Sequence, residues 1–283
     1  MKKILLISLA LLGSLLIHPN VQAACTVTSG VTTLPVGDSC QTEPDSYGIT
    51  LYQKWLCTAR PTVPADGVEY DLSNCVQTMN TATGEVVRVT STSSNVALTS
   101  PVTRPPVGVY THGIMIFKNE FLLTANLVFN SAARGDSQGV GSAVSGAVYC
   151  NTLNDSGAED AGDSMVCDTS AGTAGEWGAI LNNFNVGGSY EATANETFAS
   201  GNRMDAYLLN TDSELADNAS EAAAGAKMFG MQTFGTPVVV DKDTRGFNMS
   251  FNVSTGASIW QNPDSTYSIG SGPFQVLLTP IQY

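Results

Sequence analysis

The chain has 283 residues and a formal net charge of −13 at pH 7. A surface of that sign repels nucleic acid and anionic lipid, so the charge excludes both as expected partners. Only 13% of the residues are charged, while small polar residues are abundant. That combination is typical of extracellular β proteins.

The first 23 residues have the three parts of a secretory signal peptide. Two lysines open the segment, residues 4–17 form an apolar run, and residues 21–23 supply the small side chains that signal peptidase requires. We therefore expect cleavage before Ala24 and a mature chain over 24–283, whose net charge falls from −13 to about −15 when the two lysines are lost. The apolar run is too short for a good membrane span, so we expect no transmembrane segment after cleavage.

The cysteines indicate a disulfide framework, because an even number in an exported chain reads as bridges. The six are Cys25, Cys40, Cys57, Cys75, Cys150 and Cys167. Short loops are cheap to close, so the pairs we expect are the local ones: Cys25–Cys40, Cys57–Cys75 and Cys150–Cys167. Export and bridging together predict a secreted, periplasmic or cell-surface protein, and the short lysine-led signal favours a bacterial source.

Strand signals dominate the first half of the mature chain. Residues 47–57 alternate, with apolar and polar side chains on opposite faces, which indicates a half-buried strand. A second strand is expected over 85–90. The clearest prediction is a hairpin of 107–117 and 121–129, with 118–120 as its turn.

The character changes over about 131–230, where glycine, alanine and acidic residues accumulate and strand signals become sparse. Short strands are expected over 176–181 and 204–209, and one short helix over 213–228 with Ser213 as its N-cap. We interpret this region as an acidic excursion of long loops on a β scaffold.

The β signal returns towards the C-terminus, over 237–240, 247–253 and 274–278. Many short strands separated by turn residues are typical of a β-sandwich or a jelly roll. The sequence therefore predicts a single all-β domain, braced by disulfides, with long loops and one short helix.

Calcium is the metal that the charge pattern favours. Four carboxylates lie within nine residues between two cysteines, and oxygen ligands of this kind suit calcium: Asp155, Glu159, Asp160 and Asp163. The alternative is a solvated acidic loop without an ion. No other cofactor is expected.

Two tryptophans are candidate platforms for a sugar ring. Trp177 and Trp260 lie beside polar, glycine-rich segments, whereas Trp55 lies in the first strong strand and is expected in the core. The mature chain has a single histidine, His112, and no serine-nucleophile or metalloprotease motif. These absences favour a protein that is not an enzyme.

The leading functional hypothesis is an exported structural or adhesive surface protein, or a subunit of an assembly, whose partner is another protein or a second copy. The alternative is a secreted carbohydrate-binding module or glycoside hydrolase, whose partner is a glycan. A flat polar face with a long exposed edge strand favours the first. A concave groove with an exposed tryptophan and two carboxylates favours the second.

Overall fold

The computed structural model describes residues 23–33, 39–90, 94–139, 146–159, 163–185 and 188–282. The signal peptide predicted over 1–23 lies outside these residues, except for Ala23. The described chain is all-β, as the sequence predicts, with several sheets packed together. Its strands are, in chain order, β1 (Val27–Thr28), β2 (Val31–Thr32), β3 (Ser39–Thr42), β4 (Ser46–Cys57), β5 (Cys75–Val89), β6 (Ser94–Val96), β7 (Gly108–Thr124), β8 (Asn126–Val128), β9 (Tyr149–Thr152), β10 (Ser156–Ala158), β11 (Met165–Asp168), β12 (Trp177–Ile180), β13 (Thr193–Thr197), β14 (Arg203–Leu209), β15 (Lys227–Val240), β16 (Gly246–Asn252), β17 (Ala257–Gln261), β18 (Tyr267–Ser271) and β19 (Gln275–Ile281).

The larger of two sandwiches is built on an eight-stranded sheet. In this sheet β7 is central, with β4 and β5 on one side and β15, β14 and β13 on the other, while β12 and β10 extend the sheet beside the end of β7. The three-stranded sheet β19-β16-β6 covers one face, and apolar side chains from both sheets form the main core. The side chain of Gln232 joins the two sheets by donating to Val276 O at 2.6 Å and accepting from Val276 N at 2.8 Å.

The smaller sandwich packs sheet β11-β9-β8 against sheet β18-β17-β3. Its core consists mainly of short side chains, with Phe129 and Tyr267 as its two rings. Two hydrogen bonds of β18 connect this core to its surroundings. Ile269 N donates to Ser164 Oγ at 2.9 Å, and Tyr47 Oη of the larger sandwich lies 2.9 Å from Ser271 Oγ. The two sandwiches therefore meet along β18.

The disulfides join the pairs that the short loops predict. Their sulfurs lie at bonding distance in Cys25–Cys40, Cys57–Cys75 and Cys150–Cys167. The second pair ties β4 to β5 in the larger sandwich, and the other two brace the smaller one. Three bridges indicate folding in an oxidising environment outside the cytoplasm. No helix among the described residues is long and apolar enough to cross a membrane.

The predicted hairpin around residues 118–120 is wrong, because β7 is one continuous strand of 17 residues. The polar triplet marks the place where the strand paired with β7 changes, and it is not a turn. β15 pairs with β7 up to Lys118, and β12 pairs with β7 from Glu120. Asn119, between them, is 2% exposed and donates its amide to the carbonyls of Leu181 and Ala222, both at 3.1 Å. The polar residue at the centre of this apolar run therefore satisfies two backbone carbonyls inside the protein.

The acidic region over 131–230 contains far more regular structure than the sequence predicts. It supplies β9 to β14, which belong to both sandwiches, and the start of β15. Its helix α1 (Ala219–Gly225) is shorter than the predicted one and is capped by Asn218, whose side chain accepts from Glu221 N at 3.0 Å. Ser213 has a φ of 67°, outside the helix. Glycine and alanine carry little intrinsic strand signal, so pairing with stronger neighbours decides these strands.

Candidate binding cleft

A cleft of about 770 Å³ opens between the two sandwiches. Its floor is the inner face of the larger sheet, and its opposite wall comes from β3, β17 and the turn after β18. The volume falls within the range of ligand sites in proteins.

A row of small residues across three neighbouring strands makes the floor deep. Ala194 of β13 is paired with Ala206 of β14, which is paired in turn with Gly230 of β15. A Cβ atom at Gly230 would lie 2.8 Å from Cε1 of Phe117, so this position admits no side chain without a shift of the ring. Larger apolar side chains flank the row: Phe117, Phe121, Leu181, Met204, Met228 and Phe274.

Trp260 stands on the wall opposite this floor, on the same strand face as Ser258. Its ring is half-buried and its orientation is set by a chain of hydrogen bonds. The indole Nε1 donates to Asn262 Oδ1 at 3.1 Å, and the amide of Asn262 donates to Thr266 Oγ1 at 2.9 Å and to Ser268 Oγ at 2.7 Å. A partly exposed ring held in this way needs no rearrangement to receive a ligand.

Amide and hydroxyl side chains line much of the rim: Ser39, Gln41, Asn183, Asn185, Asn195, Ser258 and Gln261. Asn183 shapes the rim loop, because its Oδ1 accepts from the backbone N of Asn185 and of Glu191 at 3.0 and 2.9 Å. This fixed turn presents Phe184 to the cleft beside the amides.

Two carboxylates lie in the lining, one on each side. Glu196 of β13 is half-buried, and this burial raises the pKa of its carboxyl above the usual value. Glu159 is 8% exposed and accepts from Ser271 N at 2.5 Å, at the seam between the sandwiches. A Cβ atom at Gly270 would lie 2.6 Å from its carboxyl carbon, so Glu159 fits only against bare backbone.

Close to Glu159, the contact between the two sandwiches also shifts the pKa of the Tyr47 phenol. Burial raises the pKa of Tyr47 well above its usual value, the hydrogen bond with Ser271 lowers it, and the charge of Glu159 raises it further. The neutral phenol therefore persists throughout the ordinary pH range and holds the two sandwiches together.

No lysine, arginine or histidine lines the described part of the cleft. An anionic ligand would meet two carboxylates and no compensating charge, which is unfavourable in a partly buried site. The lining therefore suits a neutral ligand that combines hydroxyl groups for the amides with an apolar face for the floor and the indole.

The two predicted sugar platforms have different outcomes. Trp260 lies in the cleft, but Trp177 is 1% exposed and belongs to the main core, so its prediction as a platform is wrong. Its strand β12 pairs with β7, which turns the indole inward despite the glycine-rich flank. Trp55 is half-buried and packs against a small core on the other face of the larger sheet.

The predicted calcium ligands do not converge. Asp155 and Asp163 are exposed, Glu159 is turned into the seam, and Asp160 lies outside the described residues. Among the residues that the structure describes, no group of three or more potential ligands could hold a metal ion. The carboxylates are close in sequence but follow the separate directions of β10 and the segment before β11.

Sequence reasoning missed the floor of the cleft and most of its rim. Ala194, Ala206 and Gly230 are far apart in the chain, and only the strand register brings them into one row. Only the run Asn182-Asn183-Phe184-Asn185 offered a local signal, because three of its four residues, which are polar or aromatic, line the cleft.

A comparison with protein-family models finds no match, and comparisons with curated proteins and with solved structures find none either. The cleft itself is therefore the basis for any assignment of function.

Proposed function

We propose that this protein is exported and binds neutral carbohydrate in the cleft between its two sandwiches. The observation that carries the proposal is the half-buried, hydrogen-bonded ring of Trp260 opposite a floor row of small residues. Displayed outside the cell, such a site is adhesive, which joins the leading hypothesis of the sequence analysis to its carbohydrate-binding alternative.

Carbohydrates match each part of the lining. The apolar face of a sugar ring stacks on an indole, and the hydroxyl groups around its edge pair with amide donors and acceptors such as Gln41 and Asn195. The absence of basic residues from the described lining argues against acidic sugars. A flat polar face suited to assembly is not the main feature of this region, since the surface here is concave.

The test measures binding of four neutral trisaccharides, namely maltotriose, cellotriose, mannotriose and chitotriose, by isothermal titration at pH 7. Trigalacturonic acid serves as the acidic comparison and is expected not to bind. Replacing Trp260 with alanine should weaken binding of the best trisaccharide at least tenfold, because loss of a central aromatic contact costs about 1.4 kcal/mol or more.

Matched variants separate the site from general effects on folding. Trp55→Ala removes an indole from the opposite face of the sheet and should lower stability but leave binding unchanged. Ala206→Leu fills the floor row and should abolish binding, whereas Ala223→Leu, on the exposed face of α1, should not. Undiminished binding by both Trp260→Ala and Ala206→Leu would remove the cleft from the proposal.

Hydrolysis is a second candidate, favoured by the two carboxylates in the lining. A glycoside hydrolase needs a protonated acid and an ionised partner, and the raised pKa of Glu196 suits the acid. Overnight incubation with a hexasaccharide of the best-bound sugar tests this function. Shorter products that disappear in Glu196→Gln would assign hydrolysis, and an intact hexasaccharide that still binds would assign binding alone.

A further inference from the structure

The first described residues run along the rim of the cleft. Ala23 is part of the lining, beside Ser39 and Gln41 of β3. Two backbone hydrogen bonds fix this path: Gln41 N donates to Ala23 O at 3.0 Å, and Cys25 N donates to Gln41 O at 2.7 Å. The disulfide Cys25–Cys40 holds the same segment covalently.

The cleavage site that the sequence predicts falls inside this contact, between Ala23 and Ala24. A signal peptidase adds water across that bond: the carbonyl carbon of Ala23 takes the hydroxyl and leaves with the leader, and the nitrogen of Ala24 keeps the chain and gains protons. Two hydrogen-bonding groups change as a result. Gln41 N loses its acceptor, and Ala24 acquires an α-ammonium group.

We propose that removal of the leader completes the ligand site, by creating a donor end made of the Ala24 ammonium and the Gln41 N–H. This inference rests on the proposed carbohydrate function. Gln41 N donates to Ala23 O in the uncleaved chain, so cleavage leaves this N–H without its protein acceptor, and a ligand oxygen that takes the place of the carbonyl gains affinity. The ammonium brings a positive charge to a rim whose described charged side chains are Glu159 and Glu196.

The disulfide is what makes a chain terminus usable as part of a site. Terminal residues are ordinarily mobile, and a mobile ammonium contributes little to recognition. Ala24 is adjacent to Cys25, which is bonded to Cys40 of β3, so the ammonium stays within one residue of a fixed point. A hydroxyl group of a sugar bound against Trp260 can then accept from a group held in place.

The experiment compares three forms of the protein that differ only at this end. The first begins at Ala24; the second keeps Ala23 behind a Gly-Ser extension, which restores the carbonyl and removes the ammonium; the third begins at an N-acetylated Ala24, which does the same without an extension. The probe is the trisaccharide of the four-member panel that binds the Ala24 form most tightly. The extended and acetylated forms should bind it about tenfold more weakly, the usual effect of losing a charge-assisted hydrogen bond.

The pH profile gives an independent readout. An α-amino group titrates near pH 8, so the affinity of the Ala24 form should fall between pH 7 and pH 9 towards that of the other two. Glu159 and Glu196, and Tyr47 behind Glu159, are common to all three forms. The difference between forms therefore isolates the ammonium, and equal thermal melting of the three excludes a folding effect.

Each outcome decides between the two proposals. Equal affinity in the three forms, or a parallel pH profile, would overturn the role of the new terminus and leave carbohydrate binding intact. Failure of all three forms to bind any of the four trisaccharides would overturn both. Tighter binding by the extended form would mean that Ala23 itself contacts the ligand and that its removal does not complete the site. That result also contradicts the proposal.

Discussion

The two sandwiches are stabilised in different ways. In the larger one, five aromatic rings pack together with centroid separations of 5.5 to 6.2 Å: Tyr47, Phe117, Phe121, Phe251 and Phe274. The core of the smaller one has two rings, Phe129 and Tyr267, and relies on two of the three disulfides. A small core buries too little apolar surface, and covalent bridges compensate.

Polar groups reinforce the same contrast. In the smaller sandwich the carboxylate of Asp136 accepts from the backbone N of Ser137, Ser164 and Met165 at 2.8 to 2.9 Å, and from Ser164 Oγ at 2.6 Å. These bonds fix the segment before β11 against the turn that contains Asp136. The stability of the larger sandwich should therefore depend mainly on the volume of its core side chains. The stability of the smaller one should depend mainly on its disulfides and hydrogen bonds.

The largest expected effect comes from removing an aromatic ring of the larger core. Phe251 is 1% exposed and packs on Phe274 with a centroid separation of 6.0 Å. Phe251→Ala should lower the free energy of unfolding by about 4 kcal/mol, through lost burial and an unfilled cavity. Urea denaturation followed by circular dichroism measures it.

Phe251→Leu is the matched control, since it retains most of the volume and should cost about 1 kcal/mol. A loss as large in Phe251→Leu as in Phe251→Ala would contradict the volume argument and indicate that ring geometry, rather than filled space, stabilises this core.

A smaller effect is expected from opening the smaller sandwich. Cys150 and Cys167 lie directly opposite each other on β9 and β11 and are 0% and 2% exposed. Replacing both with alanine should cost about 3 kcal/mol, the usual value for a loop of this length. The fluorescence of Trp260, obtained as the difference between each protein and its Trp260→Phe form, reports on the smaller sandwich and should change at lower urea than the circular dichroism signal.

The equivalent replacement of Cys57 and Cys75 is the control, because that bridge ties β4 to β5 in the larger sandwich. This control variant should leave the order of the fluorescence and circular dichroism transitions the same as in the wild type. Coincident transitions in the Cys150/Cys167 variant would show that the sandwiches unfold as one unit and that the contrast between them has no thermodynamic consequence.

Strands with a complete local signal could be predicted from the sequence. The alternation in β4 and in β16, and the short spacing of the cysteines, depend only on neighbouring residues. Asn119 could not be placed in the same way, because its apparent turn triplet is explained by carbonyls of Leu181 and Ala222, which are distant in sequence.

The candidate cleft depends even more on long-range pairing. Trp260 was identified from its surroundings in sequence, but the same reasoning misplaced Trp177, whose indole direction is set by the pairing of β12 with β7. The row of Ala194, Ala206 and Gly230 exists only through strand register. No single segment of the chain carries that information.

The smallest expected effect concerns a charge that the larger sandwich retains inside its core. Lys54 is 8% exposed and lines a small cavity together with apolar residues such as Phe234 and Leu278. Among the described residues no ion pair involves it. Burial lowers the pKa of Lys54 to about 8, so the folded protein disfavours the charged form.

The sign of the pH dependence follows from that shift. The usual lysine pKa of 10.5 applies to the unfolded chain, which therefore binds more protons than the folded protein between about pH 8 and pH 10.5. The free-energy cost of burying the charged form of Lys54 is present in full below pH 8, and it decreases as the pH rises from 8 to 10.5. Lys54→Met should raise the free energy of unfolding by about 2 kcal/mol at pH 7 and by progressively less towards pH 10.

Urea midpoints of the wild type and the variant at pH 7, 8.5 and 10 measure this difference, and subtraction removes the tyrosines that titrate in the same range. Lys242→Met, at a lysine whose side chain is 85% exposed, is the control and should have no effect at any pH. A constant difference between Lys54→Met and the wild type across the three pH values would mean that the methionine acts by packing alone. The larger sandwich would then contain no unrelieved charge, and its stability would depend on volume throughout.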